Sequence, residues 1–143
     1  MKLLPNWQIY ALGSAFFAGL TVLFGKIGVM NINSNLATFI RTVFIIIMTA
    51  VILCWRNEWQ RPQAIDAKTW VFLLLSGMAT GLSWLCYYRA IQLGPISKVA
   101  PIDKLSVALV IIFGIIFLGE KLTWQVLLGG GLVILGSIVI ALF

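Results

Sequence analysis

Five apolar stretches, each about as long as one bilayer crossing requires, occupy nearly the whole chain: Trp7 to Ile27, Leu36 to Trp55, Thr69 to Ile91, Ser97 to Leu118 and Leu122 to Phe143. A helix rises about 1.5 Å per residue and the hydrocarbon core is about 30 Å thick, so roughly twenty residues make one crossing. Segments such as Val43 to Leu53 and Val107 to Leu118 have no polar face, whereas the helices of a water-soluble bundle keep one. Charged residues make up 10% of the 143 and the mean hydropathy is +1.07, far from the roughly one quarter charged in soluble domains. The predicted fold class is therefore all-α, a polytopic membrane protein with five transmembrane helices in one domain, residues 1–143, and the lipid bilayer is its first partner. The first stretch follows Lys2 as a signal peptide would follow its basic start. It is too long and too closely followed by further spans for that, and reads as a retained helix.

Several function classes fall away on composition. The chain has no histidine and two cysteines, Cys54 and Cys86, both at or inside apolar spans; that is neither a disulfide framework nor a zinc-ligand set. No metal and no cofactor are expected. Without histidine or clustered carboxylates there is no catalytic constellation, so the chain is not expected to be an enzyme. The net charge of +6 is dispersed, and no polar domain presents it as a patch for nucleic acid.

An odd number of crossings puts the chain ends on opposite faces. The face of the N-terminus receives Lys2, Arg56, Arg61, Lys68 and Lys121, and the opposite half receives Lys26, Arg41, Arg89, Lys98 and Lys104. The first set sits in loops, where the positive-inside rule applies, so a cytoplasmic N-terminus is expected. The equal split leaves insertion in both orientations open. Trp7, Trp55, Trp59, Trp70 and Trp124 map to the N-terminal face as interfacial anchors. On the other face, Ser34 is expected to cap the second helix.

The fourth span is the unusual one. Its purely apolar part, Leu105 to Leu118, covers only about 21 Å, so the crossing must draw in Lys98, Asp103 and Lys104 at an energetic cost. Pro101 has no N–H and biases Ala100 away from helical geometry, so the regular helix is expected to begin near Pro101, with Asp103 and Lys104 in its first turn. Two readings compete: a carboxylate held by the helix's positive end and a neighbouring lysine, or an irregular helix start lining a substrate site. Lys26 and Arg89 can snorkel to the interface. Arg41 lies one and a half turns into the second span and is harder to explain that way. Together these groups make one half of the bundle strongly positive, which suits an anionic headgroup, carboxylate or phosphate. The candidate substrate-binding residues are Arg41, Lys98, Pro101, Asp103 and Lys104. Asp103 is also the candidate proton or ion-coupling group, and Glu120 is read as a structural turn residue.

Small residues recur at four-residue spacing: Ala11, Ala15 and Gly19 on the first span, Gly77 and Gly81 on the third, Ser137 and Ala141 on the fifth. Such rows let helices approach closely in lipid. More specific is the run from Tyr88 to Pro101, YRAIQLGPISKVAP, followed by Leu118-Gly119-Glu120-Lys121-Leu122-Thr123 and a glycine-rich last helix. These residues resemble the EamA domain of the drug/metabolite transporter superfamily, most closely from Leu82 to Phe143. Full-length members have ten spans in two inverted five-span repeats around a central cavity, and this chain is similar to one repeat standing alone, as in the five-span bacterial and archaeal transporters.

That resemblance implies a secondary transporter or exporter of a small metabolite in a prokaryotic cytoplasmic membrane, with the fourth helix and Pro101 near the cavity. The basic half favours an anionic substrate. A homodimer working by alternating access is expected, and only an antiparallel pair would reproduce the inverted repeat. The four-span multidrug members carry a glutamate in their first helix; here that helix has Lys26 and no acid, which speaks against their cation mechanism. The rival readings are a non-transporting scaffold or assembly subunit and a lipid flippase.

Overall fold

The computed structural model describes residues 6–143. Lys2, counted above among the loop charges, lies outside the described residues. The chain forms α1 (Asn6–Val29), α2 (Ser34–Arg56), a single 3-10 turn at Pro62–Ala64, α3 (Ala67–Leu93), α4 (Ile96–Asp103), α5 (Ser106–Leu118) and α6 (Trp124–Leu142). Among the described residues there is no strand. Five segments are long and apolar enough to cross a membrane, α4 and α5 together forming the fourth, Ile96–Leu118. Most of their apolar side chains are exposed, as expected of helices whose surroundings are lipid tails rather than water.

Two compact units divide the chain, Phe24–Gln92 and the remainder. The Phe24–Gln92 unit comprises the last turns of α1, all of α2 and nearly all of α3. Its buried residues are Val29, Ser34, Ala37, Thr38, Tyr88 and Ile91, clustered where α1 and α3 end and α2 begins. The side chain of Asn33 accepts a hydrogen bond from the Asn35 N–H at 2.8 Å and caps α2. Asn33 therefore takes the role expected of Ser34, because the amide oxygen reaches the second N–H of the helix and frees Ser34 to be its first residue. Hydroxyls along α2 fold back on the helix, Thr38 to the Ser34 carbonyl at 2.9 Å and Thr42 to the Thr38 carbonyl at 2.8 Å. That satisfies them without water. The helix stops at Asn57, whose φ of 54° lets the Glu58 N–H reach the Leu53 carbonyl.

In the other unit α6 packs against both α4 and α5. A Cβ built on Gly130 of α6 would lie 2.6 Å from Ile111 Cδ1 on α5, so the glycine is what admits the isoleucine there. Gly119 ends α5 in the left-handed region, φ 66°, and directs the Glu120 N–H back to the Gly114 carbonyl at 3.1 Å. Glycine, which has no Cβ, adopts that geometry at the least cost.

The fourth span corrects one expectation. Regular helix begins at Ile96, not at Pro101: the Pro95 carbonyl accepts both the Lys98 and Val99 N–H groups, each at 3.1 Å, and the helix runs through Pro101 to Asp103. Asp103 and Lys104 thus lie at the end of α4 rather than in a first turn. In lipid each unpaired backbone N–H costs several kcal/mol. An irregular stretch before Pro101 would leave several, more than the ~3 kcal/mol of one proline in a helix. The interruption falls instead at Lys104 and Leu105, where four bonds tighten to i→i−3: Lys104 to Pro101, Leu105 to Ile102, Val107 to Lys104 and Ala108 to Leu105, all at 3.0 Å.

Candidate functional site

Arg41 sits seven residues inside α2, about 10 Å along a helix about 34 Å long, and so some 6 Å from its midpoint. Its guanidinium lies over the Trp84 ring, Cζ 4.0 Å from the centroid, and 5.4 Å from the centroid of Tyr88. Trp84 and Tyr88 stand one turn apart on α3 and present the same face. Tyr88 is held in place because Gly25 leaves room for it: a Cβ built there would meet the Tyr88 hydroxyl at 3.0 Å. Among the described residues Arg41 makes no ion pair and no hydrogen bond. The two acids of its own unit, Glu58 and Asp66, are in the segment between α2 and α3, beyond the far end of α2; Glu58 pairs with Arg56 at 2.9 Å and Asp66 accepts from the Lys68 N–H. An arginine near the centre of a spanning helix costs about 2.5–3.5 kcal/mol on the insertion scale. A cation–π contact returns about 0.5–2 kcal/mol, which leaves part of that cost uncompensated.

The other cations of this cluster are engaged. Lys26 donates to the Ile91 carbonyl at 2.6 Å. Arg89 donates to Gln92 Oε1 at 2.8 Å, and Gln92 in turn donates to the carbonyls of Val29 and Ile32 at 3.1 and 2.9 Å. The last carbonyls of α1 and α3, which lack helical donors, are thereby satisfied by side chains.

The unit that contains α4 to α6 holds the remaining candidates. Lys104 and Asp103 form an ion pair at 3.3 Å, both partly exposed. Lys98 is exposed on α4 and makes no ion pair among the described residues. Pro101 removes the N–H that would close on the Ser97 carbonyl, and the tightened turn redirects the Lys104 and Val107 N–H groups away from Ala100 and Asp103. The Ser97, Ala100, Pro101, Asp103 and Lys104 carbonyls therefore lose their ordinary i+4 donors, Pro101 and Lys104 accepting i+3 bonds instead. Glu120 folds back along α5, with Oε2 2.8 Å from where a Cβ on Gly114 would be. Cys54 and Cys86 are unpaired thiols, Cys54 accepting from Trp59 Nε1 at 3.2 Å. No group of three or more potential metal ligands occurs among the described residues.

So Asp103 and Lys104 are brought together at an interrupted membrane helix, with Pro101 a turn before them, and Arg41 stands in an aromatic seat in the other unit. Residues 5–142 match the EamA-like transporter family. The chain belongs to that family. A Sinorhizobium sp. protein described as an uncharacterized transporter in the cobO 3′ region is 51% identical over 138 residues, covering 96% of this chain and 98% of the relative. No solved structure matches. As an EamA-like protein with five spans, the chain is a multi-pass membrane protein of a transporter family, consistent with the drug/metabolite transporter superfamily.

Sequence reasoning overlooked Trp84, Gly25 and Gly114. Trp84 had a readable signal, being the one tryptophan that does not map to the N-terminal face and spaced four residues before Tyr88. The two glycines had none, since they belong to no small-residue row. Conversely Gly77 and Gly81, which do form such a row, have nothing within 4 Å of a built Cβ.

Proposed function

We propose that the chain is the subunit of a secondary transporter that moves a small anionic metabolite across the prokaryotic cytoplasmic membrane, as a homodimer and by alternating access. The observation that carries this reading is the interrupted fourth span. A helix that tightens at Lys104 and Leu105 around the Asp103–Lys104 pair, and shifts several carbonyls off their i+4 donors, is costly in lipid unless it faces water or protein. Broken helices of this kind line substrate and ion sites in transporters. In this scheme Arg41 is the anion receptor of one unit. Asp103 is the ion or proton partner at the break in the other, with Lys98 and Lys104 raising the local concentration of anions. Family membership and the transporter-named relative support the transport class.

The test is counterflow in proteoliposomes against a panel of small organic and phosphate-bearing anions. Saturable exchange that falls at least tenfold in Asp103→Asn supports the reading, and the absence of saturable exchange for any solute moves the chain to the scaffold class. Thiol labelling of single cysteines added at each end reports the assembly. A single orientation in every molecule removes the antiparallel dimer, and labelling of each end from both sides supports it.

A further inference from the structure

We infer that Arg41, Trp84 and Tyr88 form a binding seat for one oxoanion group, a carboxylate or a phosphate, at membrane depth. The inference deepens the transport reading by assigning the receptor of the anion, but the binding event it describes does not depend on transport.

Arg41 Cζ lies over the Trp84 ring, 4.0 Å from its centroid, and Tyr88 adds a second ring at 5.4 Å. A guanidinium carries its five N–H donors in its own plane, around the edge, so a ring on its face consumes none of them. The aromatic pair therefore fixes the cation's position while leaving its hydrogen-bonding rim unused, and no protein group among the described residues takes that rim. A planar fork of N–H donors matches two oxygens of one carboxylate or phosphate, and charge assistance makes such bonds about twice as strong as neutral ones. Lys26 and Arg89 of the same unit donate to the Ile91 carbonyl and to Gln92, whereas Arg41 has no such partner among the described residues, which suits one anionic group. Tyr88 is 5% exposed and backed by Gly25, so one wall of the seat is packed against α1. Lysine cannot replace Arg41 here, because an ammonium has neither the face to stack nor the fork to present.

The oxoanion can belong to a water-soluble solute or to a lipid headgroup, and the experiment separates them. The full chain is purified in an uncharged detergent, and tryptophan fluorescence is followed on addition of inorganic phosphate or succinate at constant ionic strength, with chloride as control. The expected result is a saturable change that is lost in Arg41→Gln, weakened at least tenfold in Arg41→Lys, and optically silent in Trp84→Phe although phosphate still raises that variant's melting temperature. In nanodiscs, phosphatidylcholine is compared with phosphatidylcholine containing phosphatidylglycerol. Retention of phosphatidylglycerol by the native protein but not by Arg41→Gln, with loss of the phosphate response, assigns the seat to a headgroup. An undiminished phosphate response assigns it to a solute. If Arg41→Gln responds to phosphate and retains phosphatidylglycerol as the native chain does, the inference is overturned. Loss of binding in Arg41→Gln with no saturable flux in any protein leaves the seat standing and removes the transporter. Flux with an unaltered KM in Arg41→Gln does the reverse.

Discussion

Replacing Pro101 by alanine tests whether the fourth span is held in a strained form. Proline inside a helix is about 3 kcal/mol less favourable than alanine, and at Pro101 the loss is concrete: the Ser97 carbonyl has no i+4 donor. Pro101→Ala restores that N–H, worth about 0.5–1.5 kcal/mol as a net hydrogen bond, and removes the ring that crowds the preceding turn. A gain of about 1–3 kcal/mol follows, which for a chain of this size raises Tm by about 3–9 °C. The function should move the other way, because a regularised helix relieves the tightened turn at Lys104 and Leu105 that shifts carbonyls beside Asp103 off their i+4 donors. The assay pairs thermal unfolding in detergent with counterflow in liposomes, and expects a more stable protein with at least fivefold slower exchange. A Pro101→Ala protein that is less stable than the native chain would refute the reasoning, since the proline would then be supporting the helix. Greater stability with unchanged flux would show that the interruption is incidental to transport.

Three further outcomes are expected. Gly119→Ala forces a Cβ into the left-handed region at φ 66° and should destabilise the protein by about 1 kcal/mol, read as a lower melting temperature in detergent with α-helical circular dichroism preserved. Gly25→Leu places a side chain where the Tyr88 hydroxyl already lies; overpacking of about 1–3 kcal/mol should displace Tyr88, lower the melting temperature and alter the native emission of Trp84. Gln92→Leu leaves the Val29 and Ile32 carbonyls without their donors, and should speed hydrogen exchange at the end of α1 while leaving exchange in α6 unchanged.

The fold was legible in the sequence because the bilayer restricts it so strongly: long uncharged runs have one stable form, and all five spans lie where the apolar stretches put them. The capping of α2 was misread by one residue because Asn33 and Ser34 both have suitable side chains, and only backbone geometry chooses between them. Pro101 misled for a deeper reason. Local preference puts a helix start at a proline, but the need to pair every backbone group in lipid overrides that preference and moves the irregularity downstream. For the site, the intramembrane charges were visible as costly residues, and the Asp103–Lys104 contact follows from adjacency. The aromatic seat of Arg41 was not visible, because it depends on the register of α2 against α3, which a pattern of uniformly apolar residues leaves unspecified.

The crossed hydrogen bonds at the ends of α1 and α3, from Lys26 to the Ile91 carbonyl and from Gln92 to the carbonyls of Val29 and Ile32, bear on how the chain enters the membrane. Each bond joins the first span or the turn that follows it to the third, so none can form until α3 has left the ribosome and been inserted. During synthesis of α2 the first span therefore lacks these ties. The carbonyls of Val29 and Ile32 wait for a donor 60 or more residues downstream.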